Sequence, residues 1–248
     1  MIKKVIILAG GKGTRISEES KVKPKPMIKI GKIPIIEHIM NIYTNYGNFE
    51  FLIACGYKKE VLNEYFDSNF KSISKNENIY QLKQNSTVNL IDTGENSMTG
   101  KRIKIILDNF KDEYFHLTYG DGLSSIKINE LTNFYFSSNT LATVTATRPP
   151  ARFGRLDIDN EMVVSFGEKL QSSEGWINGG FFCINKNVKD YLSEKSDEPW
   201  ESKPLENLAQ NKQLSAYKHY GFWQPMDTLR EKEMLEKMWS SGNAPWLI

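Results

Sequence analysis

The sequence predicts an α/β fold: three layers, with a mainly parallel central sheet between helices and an antiparallel and helical part added at the C-terminal end. Three observations predict it. The first half alternates short β-branched runs with helix-period segments, the pattern of parallel strands joined by crossover helices. The first of those runs stops abruptly at Ala9-Gly10-Gly11. Beyond Leu141 the runs alternate polar and apolar residues, as antiparallel strands with one wet face do.

The elements follow in order. Residues 5–8 read as a buried strand. Ile35, Ile36, Ile39, Met40, Tyr43 and Tyr46 recur at helical spacing, with Pro34 at the start and Gly47 just past the end. Residues 51–55 form a second buried strand, stopped by Gly56, and 57–66 an amphipathic helix. The asparagine-rich stretch 68–87 reads as a loop or short hairpin. A strand at 88–91, a helix at 98–110 and a strand at 114–118 follow, the last running into Tyr119-Gly120-Asp121. Strands are then expected at 141–147, 155–158, 162–166 and 181–184, and helices at 188–193 and 204–211. A last helix runs from Asp227 or Thr228 to Trp239. No internal repeat or linker interrupts the chain, so residues 1–248 are expected to form a single domain.

A chain of 248 residues, 40% hydrophobic and 25% charged, can bury a substantial core. A net charge of +2 argues against a bulk nucleic-acid surface, yet leaves room for a local phosphate pocket. Cys55 and Cys183 stand far apart in apolar runs and read as two reduced core cysteines. The opening apolar run of about six residues is too short for a signal core or a membrane span. A cytoplasmic protein without membrane contact is expected.

Gly10-Gly11-Lys12-Gly13-Thr14-Arg15 follows the first strand directly. Glycines there let the backbone turn sharply and offer N–H groups to an anion, and Arg15 adds a fork suited to phosphate oxygens. Two common phosphate loops are excluded. Lys12 is followed by Gly13 rather than Ser or Thr, and Ile16 stands where a dinucleotide fingerprint has its third glycine. In Lys23-Pro24-Lys25-Pro26-Met27 the two prolines restrict the lysine between them, so Lys25 is a candidate to meet a triphosphate. On these residues alone, a plain structural turn and a solvated proline-stiffened loop remain open.

AGGKGTR followed closely by KPKPM resembles the nucleotidyltransferase superfamily that makes NDP-sugars. The likeness continues along nearly the whole chain. Asp92-Thr93-Gly94, Ser97-Met98-Thr99-Gly100-Lys101-Arg102, Tyr119-Gly120-Asp121, Arg152-Phe153-Gly154, Glu168-Lys169, Asn178-Gly179-Gly180-Phe181 and the run from Gly221 to Thr228 are similar to the glucose-1-phosphate cytidylyltransferase branch. DTG with SMTG, and FWQPMDT, single out that branch.

The resemblance implies a Rossmann-like, glycosyltransferase-A-like α/β/α nucleotidyltransferase fold. Residues 1–140 would form the nucleotide-binding half and 141–248 the acceptor-binding half. It implies an enzyme that moves a cytidylyl group from CTP to a phosphorylated small molecule, most simply α-D-glucose 1-phosphate, with Mg²⁺ as cofactor. Leu8, Ala9, Gly10, Gly11, Gly13, Thr14, Arg15, Lys25, Ser97, Arg102 and Gly120 would border the nucleotide, with Arg102 donating to the pairing edge of cytosine. Glu168, Lys169, Asn178 and Gly179 would hold the acceptor. Asp121 and Asp227 would ligate the metal, although Asp227 is also placed to cap the last helix. Arg15, Lys25 and Lys169 would neutralise charge during transfer.

Other features agree with such chemistry. His38, His116 and His219 form no zinc spacing with the cysteines, and no Gly-x-Ser-x-Gly elbow occurs. Three departures from the branch concern the acceptor and the assembly: Leu170 replaces the proline after Glu-Lys, Lys203 replaces an acidic residue, and the 68–87 stretch is short. Another phosphorylated acceptor, or a catalytically silent nucleotide-binding subunit, stay open as alternatives. A homo-oligomer is compatible with the resemblance.

Overall fold

In the computed structural model, residues 2–16, 22–149, 155–159, 161–167, 175–194 and 198–247 are described. A nine-stranded sheet organises them, in the order β14-β10-β13-β8-β1-β4-β7-β6-β5. Its centre is parallel: β1 (Lys4–Leu8) lies between β4 (Glu50–Cys55) and β8 (Tyr114–Tyr119), and β4 pairs with β7 (Thr87–Asp92). One flank carries the antiparallel hairpin of β5 (Lys71–Ser74) and β6 (Ile79–Gln81). The other carries β13 (Ile177–Asn185), antiparallel to both β8 and β10 (Ala142–Thr147), and then β14 (Leu214–Lys218), parallel to β10. Three small ribbons stand apart: β2 (Lys29–Ile30) with β3 (Ile33–Pro34), β9 (Gly122–Ser124) with β15 (Trp223–Pro225), and β11 (Arg155–Asp159) with β12 (Met162–Gly167).

Two apolar layers cover the sheet because the central strands are apolar on both faces. Val5, Ile7, Phe51 and Ile53 face one layer, while Ile6, Leu8, Leu52 and Ala54 face the other. The first layer is covered by α1 (Ile35–Thr44), α2 (Lys59–Asn69) and α4 (Ile128–Ser138), which bury Ile39, Phe66 and Leu131. α6 (Leu229–Ser240) adds Leu235 to the same layer. On the opposite face α3 (Thr99–Asn109) and α5 (Lys203–Gln210) contribute Ile103, Ile106 and Leu208.

Most expected elements are found within a few residues, and the differences have local causes. α2 starts at Lys59, because Lys58 is left-handed at φ 53° and breaks the chain just before it. Residues 186–191 form a 3₁₀ helix rather than an α-helix. The expected antiparallel region is only partly so, since β10 takes β14 as a parallel partner and buries nearly every side chain. Several elements were absent from the expectation: the short strands β2, β3, β9 and β15, and also α4 and β14. α4 is rich in Asn, Ser and aromatics, and its own helix propensity is poor. β14 gains its strand character from β10 alone.

The two cysteines are free and buried, as expected, and burial pushes the Cys55 thiol up to about 12. His116 is buried between Cys183 Sγ at 3.3 Å and Thr132 Oγ1 at 3.4 Å, and burial drives it from 6.5 down to about 3. The unfolded chain therefore takes up this proton first. The contribution from a neutral His116 is complete above about 6.5 and is lost as pH falls from there toward 3. Between about pH 7 and pH 5, urea unfolding should report a loss on the order of 2 kcal/mol from this residue. His38 shifts in the same direction: its Nε2–H donates to Ile30 O at 2.9 Å and its Nδ1 accepts from Trp246 at 3.2 Å.

Candidate active site

The carboxyl ends of β8, β1, β4 and β7 point to one edge of the sheet. β1 is followed in sequence by α1 and β4 on one side, while α3 returns the chain to β8 on the other. Ligands of open α/β sheets bind at such a reversal of strand order. A cavity of about 550 Å³ opens there.

The glycine-rich turn forms one wall. Gly10 O accepts the Tyr57 N–H at 3.2 Å, Gly13 has φ 60°, and Thr14–Ile16 closes as a 3₁₀ turn. Of the eleven residues expected at the nucleotide, Leu8, Ala9, Gly10, Gly11, Gly13, Thr14, Lys25, Ser97, Arg102 and Gly120 border the cavity. The remaining one, Arg15, sits in the 3₁₀ turn, and its side chain lies outside the described structure. Tyr119, Thr99 and Glu95 also border the cavity and were not foreseen as site residues. Tyr119 and Thr99 lie inside quoted motifs, which was the available signal; Glu95 had none.

The branch motifs prove to interlock. Arg102 is only 2% exposed. Its Nη1 donates to Cys55 O at 3.0 Å, Thr93 Oγ1 at 2.6 Å and Gly94 O at 2.9 Å; its Nη2 donates to Gly10 O at 2.9 Å and Glu95 O at 3.3 Å. Thr93 Oγ1 in turn donates to Cys55 O at 2.6 Å, and Asp92 accepts the Gly94 N–H and Lys59. DTG is therefore the cradle into which the arginine of SMTGKR fits. A Cβ on Gly10 would stand 2.2 Å from Nη1, which explains glycine there. This geometry differs from the expectation that Arg102 donates to a base: its four terminal N–H hydrogens address the protein's own oxygens.

KPKPM holds its lysine in a tight turn. Pro24 is extended at ψ 149°, but Lys25–Met27 makes a buried 3₁₀ turn, with Met27 N–H on Pro24 O at 2.8 Å. The turn aims Lys25 across the cavity at the two expected metal ligands. Lys25 Nζ lies 2.6 Å from Asp121 Oδ2 and 2.5 Å from Asp227 Oδ1. Burial opposes its charge, but Asp121 and then Asp227 outweigh that cost and hold the lysine pKa above its usual value. Two carboxylates converging on one cation fit the protein share of a magnesium site, which takes few carboxylates and fills its other positions with phosphate and water.

Asp227 reaches this point through β15. Pro225 pairs with Gly122, and Met226 N–H donates to Asp121 O at 2.8 Å, so FWQPMDT lies beside YGDG. Thr228, not Asp227, caps α6: its hydroxyl accepts the Glu231 N–H at 3.3 Å while Glu231 returns the capping-box bond. The Asp227 side chain pairs with Lys25. Trp223 Nε1 of the same motif donates to Gly179 O at 2.7 Å and anchors the expected acceptor wall. There Asn178 Nδ2 donates to Tyr119 OH at 3.2 Å, and Gly180 takes φ 78° with its Cα against the Tyr119 ring. Glu168, Lys169 and Leu170 lie outside the described residues, as does Arg152-Phe153-Gly154. Lys203 is exposed at the start of α5.

The family model for nucleotidyl transferases matches residues 4–230. The chain belongs to this family. Among relatives of this nucleotidyl transferase, a glucose-1-phosphate cytidylyltransferase of Salmonella typhi is 47% identical over 98% of both chains. A D-glycero-alpha-D-manno-heptose 1-phosphate guanylyltransferase of Campylobacter jejuni is 32% identical over 74% of this chain and 76% of its own. Among solved structures, the UTP-bound UGPase of Acinetobacter baumannii superposes with a TM-score of 0.72 at 16% identity, covering 96% of this nucleotidyl transferase and 93% of that chain, and so shares the fold. No helix among the described residues is long and apolar enough to cross a membrane.

Proposed function

We propose that this nucleotidyl transferase joins the cytidylyl group of CTP to α-D-glucose 1-phosphate, giving CDP-glucose and pyrophosphate. The single observation that carries the base and the acceptor is the 47% identity, over 98% of both chains, to an enzyme of that name. The site supplies the chemistry. An oxygen of the acceptor phosphate attacks the α-phosphorus of the triphosphate in line, and the bond to the bridging oxygen of the leaving pyrophosphate breaks. An ionised phosphate needs no general base, and positioning and charge neutralisation suffice.

In this reading the Gly10–Thr14 turn cradles the triphosphate and Asp121 with Asp227 holds Mg²⁺, which neutralises phosphate charge when bound. Lys25, released from the two carboxylates, turns to the phosphates. Arg15 and Lys169 add positive charge, and Glu168, Asn178 and Gly179 receive the sugar. The chain acts as one unit, with residues 1–140 binding nucleotide and 141–248 the acceptor.

Pyrophosphate release from each NTP with a panel of phosphorylated acceptors tests the assignment. Release with CTP and glucose 1-phosphate is expected; release only with another base or another acceptor overturns it. Lys25→Met should lower kcat by roughly a hundredfold, the scale of one lost electrostatic contact to the transferring phosphate. The same substitution removes the cation that competes for Asp121 and Asp227. Mn²⁺ binding without nucleotide, followed by electron paramagnetic resonance, should therefore tighten.

A further inference from the structure

Asp121 and Asp227 sit at one end of the β9–β15 ribbon, and a buried histidine closes the other end. His219 follows β14 directly, is 8% exposed and donates its backbone N–H to Ala146 O of β10 at 2.8 Å. Its ring reaches from that sheet edge to the root of β15. Nε2 lies 3.1 Å from Phe222 O and 3.2 Å from Ser124 Oγ. A carbonyl oxygen can only accept, and a lone pair on Nε2 would face it repulsively, so Nε2 carries the hydrogen. Phe222 O also accepts the Ser125 N–H at 2.9 Å and the Ser124 hydroxyl at 3.0 Å, while Phe222 N–H donates to Ser125 Oγ at 2.9 Å. The chain passes this junction closely. A Cβ on Gly221 would stand 2.5 Å from Ser125 Oγ and 2.7 Å from His219 Cε1.

From the junction the ribbon pairs Trp223 with Ser124, Gln224 with Leu123 and Pro225 with Gly122, and Met226 N–H then meets Asp121 O at 2.8 Å. The next residue is Asp227. A two-stranded ribbon of this length is marginal by itself, so its register depends on what fixes its ends. A slip of one residue would carry Asp227 about 3.4 Å along the strand and turn its side chain away from Asp121. Behind Asp227, Glu231 accepts its N–H at 2.7 Å and ties it to α6. In front of it, the junction at Phe222 holds the ribbon to the sheet.

We propose that His219 is a positioning residue for the two carboxylates: by holding the Phe222 carbonyl at the root of β15, it fixes the register of the ribbon and with it the place of Asp227 against Asp121. This role rests on the proposed reading of Asp121 and Asp227 as metal ligands. His219 touches neither carboxylate and acts only through the ribbon.

The test compares wild type with His219→Leu, which removes the donor, and His219→Gln, which keeps an N–H near the place of Nε2. Phe66→Leu, in the core on α2, controls for a general loss of stability. Residue-resolved hydrogen exchange follows the Met226 amide against the Ile53 amide of β4, and electron paramagnetic resonance follows Mn²⁺ binding without nucleotide. In His219→Leu, Met226 should exchange about five- to tenfold faster relative to Ile53, the worth of one hydrogen bond, and the Mn²⁺ Kd should rise about three- to fivefold. His219→Gln should stay within about twofold of wild type in both. Phe66→Leu should speed both amides in proportion and leave the Mn²⁺ Kd unchanged. Met226 exchange that moves no more than Ile53 exchange in His219→Leu overturns the proposal. Equal impairment in His219→Gln also overturns it, since the N–H would then not be what holds Phe222. So does an unchanged Mn²⁺ Kd in His219→Leu when Asp121→Asn weakens binding. Should Asp121→Asn bind Mn²⁺ as wild type does, the metal reading fails, and Met226 exchange alone decides whether His219 places Asp227.

Discussion

Asp121→Asn is expected to lower kcat by roughly a thousandfold or more while the protein stays folded. The substitution keeps the shape of the side chain and removes its charge. The fold has little reason to respond: Asp121 is 30% exposed on its side chain, and Lys25 keeps Asp227 at 2.5 Å. The backbone bond from Met226 N–H to Asp121 O does not involve the side chain and holds β15 in place. Turnover has no such reserve, because one carboxylate alone would hold the metal against the triphosphate. Pyrophosphate release at saturating CTP and acceptor measures the loss, and thermal melting followed by circular dichroism measures the fold. Near-normal turnover would remove Asp121 from the metal role. Asp227→Asn should behave alike, since Thr228 and Glu231 cap α6 without it.

The second large effect falls on stability. Arg102→Met should destabilise the protein by about 3–5 kcal/mol, because it removes at once a buried hydrogen-bonding charge that takes part in satisfying several desolvated oxygens. Cys55 O, Gly10 O, Gly94 O and Thr93 Oγ1 all lose a donor at once. Those oxygens belong to the end of β4, the glycine turn and the DTG turn, so three pieces of the nucleotide wall loosen together. Urea unfolding gives the stability change. Arg102→Lys separates this clamp from base reading: a clamp predicts lower stability and an unaltered preference for CTP over UTP. A stable variant that accepted UTP equally would restore the base-reading role.

The same residue shows how far the sequence reaches. DTG, SMTG and FWQPMDT identify the family branch without any coordinates, yet they do so as recurring strings whose physical purpose is hidden. Arg102 is spaced like a helix residue on a wet face, and nothing local distinguishes it from one. Its acceptors come from residues 10, 55 and 93–95, so its burial is decided by the packing of three separate turns. The central strands, by contrast, were legible because burial on both faces demands unbroken apolar runs. α4 was not legible: its helicity comes from Ile128, Leu131 and Tyr135 settling on the sheet, not from its polar and aromatic composition.

Thr99 marks another limit. Its hydroxyl meets Glu201 and the Trp200 N–H about 100 residues further along the chain, and no local pattern announces that pairing. By itself, then, the sequence determined the parallel sheet, the glycine turn after β1 and the two candidate metal carboxylates. Those features depend on hydrophobic period, on glycine's conformational freedom and on residue type, all of which are local. Only the tertiary structure decided that Thr228 rather than Asp227 caps α6, and what Arg102 holds. Those outcomes depend on hydrogen-bond register between β9 and β15 and on which turns meet at one sheet edge, and no local property of the chain encodes either.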